Sequence, residues 1–322
     1  MTDISRVQTT ARALQENIAR VIVGKMQTVE LLLVALITQG HALIEDVPGL
    51  GKTMLAKSLA RSLGCSFQRL QFTPDLLPSD ITGVNVFNQK TAEFEFRPGP
   101  LMAQVVLADE INRAGPRTQS ALLEAMEERQ VTVDGVTRPT PRPFLVIATQ
   151  NPIELEGTFP LPEAQLDRFL LRLSLGYPES PEEREILRRF RTADPLAELR
   201  AVASGEDILA LGTVCRSVFV SEAVETYILG LVRATRGNAA VALGASPRGA
   251  LALYRTSQAL AAIRGRAFVI PDDIQALLTP TLAHRLMPSG QSRLRGKAVT
   301  DILHDVVSKV PVPVEESWSE KM

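Results

Sequence analysis

Residues 43–53 read Leu-Ile-Glu-Asp-Val-Pro-Gly-Leu-Gly-Lys-Thr, and Met-Leu-Ala-Lys follows them. The apolar beginning predicts a strand, the middle rich in Gly and Pro predicts a turn, and the end predicts the start of a helix. The spacing fits the P-loop pattern, in which backbone N–H groups surround a polyphosphate, a lysine meets its outer phosphates and a hydroxyl holds Mg²⁺. The stretch therefore predicts an α/β fold with a phosphate site carried by Gly51, Lys52 and Thr53.

Asp46 stands where the P-loop pattern has its first glycine. The difference matters if that position needs a positive φ, because Asp adopts such a conformation less readily than Gly. The alternative interpretation of the segment is a surface loop, rich in Gly and Pro, that caps a helix. The loop by itself leaves both interpretations open.

A second signal follows further along the chain, where residues 105–110 read Val-Val-Leu-Ala-Asp-Glu. The apolar part predicts a short buried strand that ends in two acids. Asp109 is placed to hold Mg²⁺ through its water shell, and Glu110 to orient and polarise the attacking water. A strand that ends in Asp-Glu is by itself usually followed by a solvated turn. Together with Gly-Lys-Thr, however, it predicts a P-loop ATPase.

The chain has 322 residues, of which 45% are hydrophobic and 22% charged, and its formal net charge is −1. Such a chain can bury a full core and is long enough for two domains. The net charge provides no overall field that would attract nucleic acid or an anionic membrane. The longest apolar run, residues 31–37, is far shorter than the roughly twenty residues of a membrane span, so no membrane insertion is expected. Cys65 and Cys215 form no CxxC pair and no secretory signal is visible, which predicts the reducing cytoplasm.

Alternating strand and helix patterns predict a parallel sheet with five strands. The predicted strands are residues 41–45, 66–72, 105–109, 144–148 and 170–175. An amphipathic helix is expected from about Thr9, with disorder before Thr9 and after about Pro311. The residues from Thr73 to Pro78 are expected to open a short helix that prolines soon stop.

Two predicted hairpins interrupt this alternation. Residues 81–87 and 93–96 carry apolar side chains at alternate positions around a polar turn. Residues 131–137 form the second hairpin, because Asp-Gly at its centre suits a tight turn of two residues. The second hairpin directly precedes the strand at 144–148.

The alternation of strands and helices stops at Tyr177-Pro178, where we place the domain boundary. The prediction is an α/β core over residues 1–177, followed by an all-helical domain over residues 178–322. Within the second domain, Ser246 and Pro247 indicate a cap and a first helical residue, which places Arg248 in the first turn of a helix.

Some polar residues have two interpretations from the local sequence. Asn151 follows the strand at 144–148, at the edge where parallel sheets bind ligands, but Asn-Pro also forms turns. Arg168 could form a surface ion pair with the adjacent Asp167. The basic stretch 285–297 could contact phosphates, although such a run is more often a solvated helix end and loop.

With these motifs in view, the chain resembles the MoxR family of AAA+ ATPases from about residue 21 to residue 288. The resemblance rests on residues 45–53, 108–114, 148–152, 161–169 and 245–249. It implies an AAA+ core with a helical lid domain, ATP and Mg²⁺ as cofactors, and hydrolysis of ATP. An aspartate at the position of Asp46 is usual in that family.

The resemblance also implies roles for single residues. Asn151 resembles the sensor 1 residue that helps to place the lytic water. Arg168 resembles the arginine finger given to a neighbouring subunit's ATP, and Arg248 resembles the sensor 2 arginine that reads the γ-phosphate. The hairpins at about 81–97 and 129–140 resemble the helix-2 insert and the pre-sensor 1 hairpin, which face the central pore of related rings. The implied nucleotide contacts are the adenine-facing turn of Val23 and Gly24, then Pro48, Gly49, Leu50, Gly51, Lys52, Thr53 and Met54. The implied catalytic group is Glu110, with Thr53 and Asp109 holding the metal.

Members of the family are generally hexamers that act as chaperone-like remodellers. Their partners are often von Willebrand factor A domain proteins, and metal insertion or complex maturation is the outcome. We therefore expect a homo-oligomer, a hexamer by resemblance, that remodels or matures a protein partner.

Two other functions compete with this expectation. One is a nucleic-acid motor, since related ring ATPases with the same pore insert act on DNA. Neither predicted hairpin has enough Lys and Arg to follow a nucleic-acid backbone, so nucleic acid is not the expected partner. The other is a nucleotide-dependent scaffold with negligible turnover, against which Glu110, Asn151 and Arg168 argue together.

Overall fold

A computed structural model describes residues 3–154, 157–191 and 194–313 of the chain. Its strands are β1 (Ala42–Glu45), β2 (Phe67–Gln71), β3 (Gly83–Asn88), β4 (Glu93–Pro98), β5 (Val105–Asp109), β6 (Gln130–Val133), β7 (Val136–Pro139), β8 (Leu145–Gln150), β9 (Leu171–Leu173), β10 (Val241–Leu243) and β11 (Met287–Pro288). Its α-helices are α1 (Asp3–Ala19), α2 (Met26–Ile37), α3 (Lys52–Ser62), α4 (Pro78–Thr82), α5 (Pro116–Glu128), α6 (Glu163–Leu166), α7 (Ser180–Arg189), α8 (Pro195–Glu198), α9 (Gly205–Cys215), α10 (Glu222–Arg236), α11 (Pro247–Ile263), α12 (Pro271–Leu282), α13 (Gly290–Leu294) and α14 (Val299–Lys309).

Five strands form one sheet in the order β2-β5-β8-β1-β9, and every neighbouring pair in it is parallel. Helices cover both faces of the sheet, as all-parallel sheets require. The predicted α/β core with a five-stranded parallel sheet is therefore confirmed. Because the strands run in one direction, the carboxyl ends of β1, β5 and β8 share one edge of the sheet. We name it the carboxyl edge, and the opposite side, where these strands begin, the amino edge.

The sheet is buried between two apolar layers, and β5 shows how its side chains divide between them. Val105 and Leu107 pack with α1, α2, α3 and the later helices, whereas Val106 and Ala108 pack with α4 and α5. Side chains alternate between the two faces along a strand. Because β5 is apolar on both faces, its one polar side chain stands at its end. Asp109 therefore lies at the carboxyl edge, and Glu110 follows it directly.

Helix α1 begins at Asp3, well before the predicted start near Thr9. Val7 is fully buried, as are Leu14 and Ile18. The residues just before Thr9 are thus helical, and the predicted disorder is wrong for them. Val7 lies two turns before Leu14 and continues the same apolar stripe through the buried Ala11. Residues 1–2 and 314–322, where the rest of the predicted terminal disorder falls, lie outside the described residues.

The short helix predicted to open at Thr73 begins instead at Pro78. Pro78 occupies the first helical position, where its missing N–H has no helical partner to lose. The N–H of Leu77 donates to the Asp80 carboxylate at 2.8 Å, and this bond caps the N-terminus of the helix. Proline therefore starts this helix and does not stop it.

Both predicted hairpins are present, and they contact each other. β3 pairs with β4, and β6 pairs with β7, in antiparallel fashion. Asn85 Nδ2 donates to the Asp134 carboxylate at 2.7 Å. The Arg138 guanidinium lies 4.0 Å from the centre of the Phe96 ring. The two hairpins therefore form one unit, and Phe94 on its surface is 73% exposed.

The chain after β9 is mainly helical, as predicted. The structure adds one short antiparallel pair, β10 with β11, which is too short to give an alternating pattern in the sequence. The domain boundary at Tyr177-Pro178 remains a prediction. No helix in the described part of the chain combines the length and the apolarity that crossing a lipid bilayer requires.

Two roles were considered for the basic stretch 285–297, contact with phosphates and a solvated helix end and loop. Arg285, its first residue, has neither. Its side chain is only 3% exposed. Nε donates to the Asp167 carboxylate at 2.6 Å, and Nη2 donates to the Phe169 carbonyl at 2.7 Å. Arg285 therefore ties the helical domain to the core instead of meeting a phosphate or water. The sequence could not show this, because the acid that permits the burial of Arg285 is far away along the chain.

Candidate functional site

The P-loop connects β1 to α3 at the carboxyl edge. Gly49 and Gly51 have φ values of +86° and +88°, which favour glycine. A Cβ added to either residue would meet nothing within 4 Å, so the space beside the loop is open. The first N–H groups of α3 have no intrahelical acceptor, and the helix dipole favours an anion at this end. The loop therefore has the space and the donors that a polyphosphate requires.

Asp46 does not have a positive φ, so its place in the P-loop pattern causes no backbone strain of that kind. Its carboxylate accepts hydrogen bonds from the Ser174 hydroxyl at 3.0 Å and from the N–H of Leu175. These bonds attach the beginning of the P-loop to the segment that follows β9. A glycine at this position could not form them.

Lys52 is only 9% exposed although it carries a charge. Its Nζ donates to the backbone carbonyl of Asp46 at 2.6 Å, which leaves two ammonium protons for a ligand. Burial lowers the pKa of Lys52, and the nearby carboxylates of Asp46, Asp109 and Glu110 oppose this shift. The lysine is therefore held in place at the mouth of the loop, and Thr53 follows it in α3.

Asp109 ends β5, and side chains of both neighbouring strands hold its carboxylate. Oδ1 accepts from the Thr149 hydroxyl of β8 at 2.6 Å, and Oδ2 accepts from Arg69 of β2 at 2.7 Å. Thr149 in turn accepts from the N–H of Glu110 at 2.8 Å. The orientation of Asp109 is therefore fixed, and its oxygens keep lone pairs for the waters of a hydrated Mg²⁺.

Glu110 follows β5 in the left-handed conformation, with φ 57° and ψ 51°, which costs a residue other than glycine about 1–2 kcal/mol. Its Oε2 accepts from Gln71 Nε2 at 2.7 Å and lies 3.0 Å from Nε of Arg113. Gln71 belongs to β2, which lies on the side of β5 that is remote from β1 and the P-loop. The Glu110 carboxylate is thus engaged with the edge strand β2.

Asn151 comes immediately after β8, the strand between β5 and β1. Its Oδ1 accepts from the N–H of Ile153 at 3.2 Å, and its Nδ2 lies 3.4 Å from the Glu154 carboxylate. Glu154 also pairs with Arg113, the residue beside Glu110. The structure therefore brings Asn151 to the carboxyl edge, between the P-loop and the acids, as the sequence predicts.

The turn of Val23 and Gly24 lies between α1 and α2 and contacts the start of α7. Gly24 has φ +72°, and a Cβ added to it would lie 1.8 Å from a carboxylate oxygen of Glu182. The next residue, Lys25, donates to the carbonyl of Tyr177 at 3.0 Å. The turn is therefore fixed to the segment after β9, the same segment that holds the beginning of the P-loop.

Arg168 and Arg248 do not lie at the carboxyl edge. Arg168 Nε is 3.0 Å from one oxygen of Glu127, and Arg248 Nη2 is 3.0 Å from the other. Glu127 is close to the end of α5, which returns from the carboxyl edge, and Arg168 precedes β9. All three side chains therefore lie at the amino edge. β1 has four residues, so its length alone separates them from the chain's own P-loop by roughly 13 Å.

This position corrects one expectation. The surface ion pair considered for Asp167 and Arg168 is not formed, because Asp167 pairs with Arg285 and Arg168 with Glu127. The sensor 2 role of Arg248 remains a prediction, and the structure places Arg248 beside Arg168 at Glu127.

Several residues at these sites were not predicted as such, among them Thr149, Gln71 and Glu127. Thr149, which is 1% exposed, lies in the motif at residues 148–152, but only the structure shows that it joins Asp109 to Glu110. Gln71 could have been found from the alternating polar positions of β2, once that strand was placed beside the acidic strand. Glu127 had no signal, because its two partners are distant in sequence.

Two family models match the chain. The model described as ATPase family associated with various cellular activities (AAA) matches residues 41–171. The model described as AAA lid domain matches residues 233–306. The first match contains the P-loop, the acidic strand, Asn151 and Arg168, and the second contains Arg248.

Similar proteins extend over nearly the whole chain. It is 51% identical to the uncharacterized protein YeaC of Bacillus subtilis (strain 168), with 94% of each chain covered. It is 46% identical to Chaperone MoxR1 of Mycobacterium tuberculosis, over 88% of this chain and 77% of that one. The crystal structure of a candidate ATPase from Cytophaga hutchinsonii has a TM-score of 0.91 and 37% identity to it, with 97% of each chain covered.

Proposed function

The chain belongs to the MoxR family of AAA+ ATPases, and we propose that it hydrolyses MgATP in a homo-oligomeric ring, a hexamer, to remodel or mature a protein partner. The observation that carries the proposal is the division of the site residues between two edges of one sheet. The P-loop, the acids of β5 and Asn151 lie at the carboxyl edge, whereas Arg168 and Arg248 converge at the amino edge. A complete site needs both groups, and a second subunit can supply the arginines.

The residues at the carboxyl edge fit a nucleoside triphosphate and Mg²⁺. The open space beside Gly49 and Gly51 admits the phosphates, and Lys52 meets the outer ones. Thr53 and Asp109 would hold Mg²⁺, which neutralises phosphate charge when bound. Pro48, Leu50 and Met54 complete the proposed phosphate loop, and Val23 with Gly24 would contact the adenine.

Glu110 is the proposed group that orients and polarises the lytic water, and Asn151 helps to place that water. The Glu110 carboxylate must exchange its hydrogen bond from Gln71 for one from the water. Asp109 needs no such movement, because Thr149 and Arg69 already hold it. Of the two acids, only Glu110 would therefore have to change its hydrogen-bond partner.

Arg168 and Arg248 are proposed to act together on the ATP of a neighbouring subunit. Phosphoryl transfer places negative charge on the γ-phosphate oxygens, and an arginine supplied in trans is worth about 10³ to 10⁵ in rate. Glu127 holds one arginine from the core and one from the helical domain at a single point. A lone subunit is then a poor ATPase, and assembly makes it an effective one.

A protein is the proposed partner, and a von Willebrand factor A domain protein in particular. The unit formed by the two hairpins exposes Phe94. Its cations Lys90, Arg97 and Arg138 are matched by as many acids, Glu93, Glu95 and Asp134. A nucleic-acid motor needs a row of cations along the backbone path. Burial of Arg285 removes one of the cations considered for that function. Metal-cofactor insertion is one outcome that such maturation could have.

A cytoplasmic location is part of the proposal. Cys65 and Cys215 are both free thiols. Burial raises the pKa of the Cys215 thiol to about 12, which keeps it protonated and unreactive. Because neither cysteine is in a disulfide, both suit a reducing compartment.

Two substitutions separate binding from hydrolysis. Lys52→Ala should weaken ATP binding at least about tenfold, because it removes a charged hydrogen-bond donor to phosphate. Glu110→Gln should bind ATP as wild type does and hydrolyse it at least about a hundredfold more slowly. Fluorescent-nucleotide titration and phosphate release measure the two quantities, with Lys57→Ala, an exposed lysine of the same helix, as the matched control. Equal affinity in wild type and Lys52→Ala, or normal turnover in Glu110→Gln, would refute the assignment.

A further inference from the structure

A cavity of about 430 Å³ opens at the amino edge beside Glu127. Its volume is within the range of small-ligand sites. Two acids line it, Glu127 and Asp167, together with six arginines: Arg129, Arg168, Arg216, Arg248, Arg255 and Arg285. His41 in its wall is neutral at pH 7, because burial lowers its pKa to about 4. The lining therefore carries a net charge of +4.

The two acids are already used by three of the arginines. Asp167 accepts from Arg285 at 2.6 Å, and Glu127 is shared between Arg168 and Arg248, at 3.0 Å from each. One carboxylate between two guanidinium groups leaves a positive charge in excess. It also shows that Arg168 and Arg248 converge on a single anionic group.

The other three arginines have no acidic partner among the residues that the structure describes. Arg129 donates to the side-chain oxygen of Gln39 at 3.0 Å and to its carbonyl, which are neutral acceptors. Arg216 and Arg255 are exposed and face the same cavity. The pKa of Arg129 is lowered by its burial and also by the charges of Arg142 and Arg216. Like charges gathered in this way repel one another, which favours the binding of an anion between them.

We propose that this cavity binds a polyphosphate chain. Arg129, Arg216 and Arg255 contact the phosphate groups whose negative charge Arg168 and Arg248 do not neutralise. The planar guanidinium fork fits phosphate oxygens and remains charged at any working pH. This ligand could be the triphosphate of ATP bound at a neighbour's P-loop, or it could be a free polyphosphate. The first source rests on the proposed function, whereas the existence of the cavity site does not.

Titration of the Lys52→Ala protein with inorganic tripolyphosphate tests the site without hydrolysis. Calorimetry should show saturable binding that weakens with added salt. Replacing Arg216 and Arg255 together by Ala should weaken binding at least about tenfold, and replacing both by Lys should restore part of it. Arg233→Ala, an exposed arginine of α10, is the matched control and should bind as Lys52→Ala alone does. No binding, or equal binding in the double variant and the control, overturns the proposal.

Turnover measurements with Lys52 intact identify the source. If the ligand is the neighbour's ATP, the Arg216→Ala, Arg255→Ala double variant lowers kcat several-fold without a change in ATP affinity. If the ligand is free, added tripolyphosphate alters the turnover of wild type far more than that of the double variant. A double variant that matches wild type in both respects overturns the proposal. So does one that binds tripolyphosphate normally but assembles poorly, because its arginines would then contact an acidic protein surface.

Discussion

His41 shows how a single buried side chain supports the amino edge. It is 4% exposed, and its Nδ1 accepts from the N–H of Val146 at 3.0 Å while Nε2 donates to the carbonyl of Met126 at 3.0 Å. A proton added to Nδ1 would face an N–H donor, so only the neutral ring fits. Burial lowers the pKa of His41 to about 4.

Stability should therefore fall as the pH decreases. Below about pH 6.5 the unfolded chain gains a proton on His41 that the folded chain does not accept until about pH 4, so the free energy of unfolding decreases across this range. His284 contributes in the same direction, because burial also lowers its pKa.

Urea unfolding at pH 7 and pH 5 measures the effect. The loss between these values should be smaller by about 2 kcal/mol in His41→Gln than in wild type. His304→Gln, at an exposed histidine, should lose as much as wild type does. An equal loss in all three proteins would mean that the ring is not held neutral.

Residues with locally defined roles could be predicted from the sequence. Lys52, Asp109 and Glu110 are recognisable because their chemistry depends on spacing within one motif. Glu127 is not, because its two arginine partners are distant in sequence, and Gln71 becomes recognisable only once β2 is placed beside the acidic strand. The same reason explains the misplacement of Arg285, which needs a distant acid to be buried.

At the scale of elements, α1 provides a direct test of packing. Val7 is fully buried in the first turns of this helix, so Val7→Ala should lower the free energy of unfolding by about 1–2 kcal/mol through lost burial and a residual cavity. Thr9→Ala, at an exposed position of the same helix, should change it by less than about 0.5 kcal/mol. Urea unfolding of both variants gives the comparison. If they are indistinguishable, the first turns of α1 do not pack on the body.

Elements with a local pattern were predictable, and the limits of elements were less so. The five strands of the sheet and both hairpins have alternating or continuous apolar patterns that appear in the sequence. The start of α4 was misplaced because Pro78 can either end or begin a helix. The β10–β11 pair has too few residues for any periodic signal.

At the scale of the whole molecule, the position of the helical domain determines the edge of the sheet at which Arg248 lies. Arg285 ties that domain to Asp167, and Arg248 shares Glu127 with Arg168. These contacts hold the domain against the amino edge, so both arginines face away from the chain's own P-loop. The sequence implied a site shared between subunits only through its resemblance to a family. It did not show that Arg248 belongs to the same side of the site as Arg168.

ATP turnover by mixed assemblies tests this account most directly. Lys52→Ala subunits keep both arginines, whereas Arg168→Ala or Arg248→Ala subunits keep an intact P-loop. With random mixing and independent sites, equimolar Lys52→Ala should bring either arginine variant to about a quarter of the wild-type rate, because about one interface in four is then complete. Lys52→Ala mixed with Glu110→Gln should show no gain, since both substitutions affect the carboxyl edge. Co-assembled arginine mixtures no more active than their separate components would contradict the account.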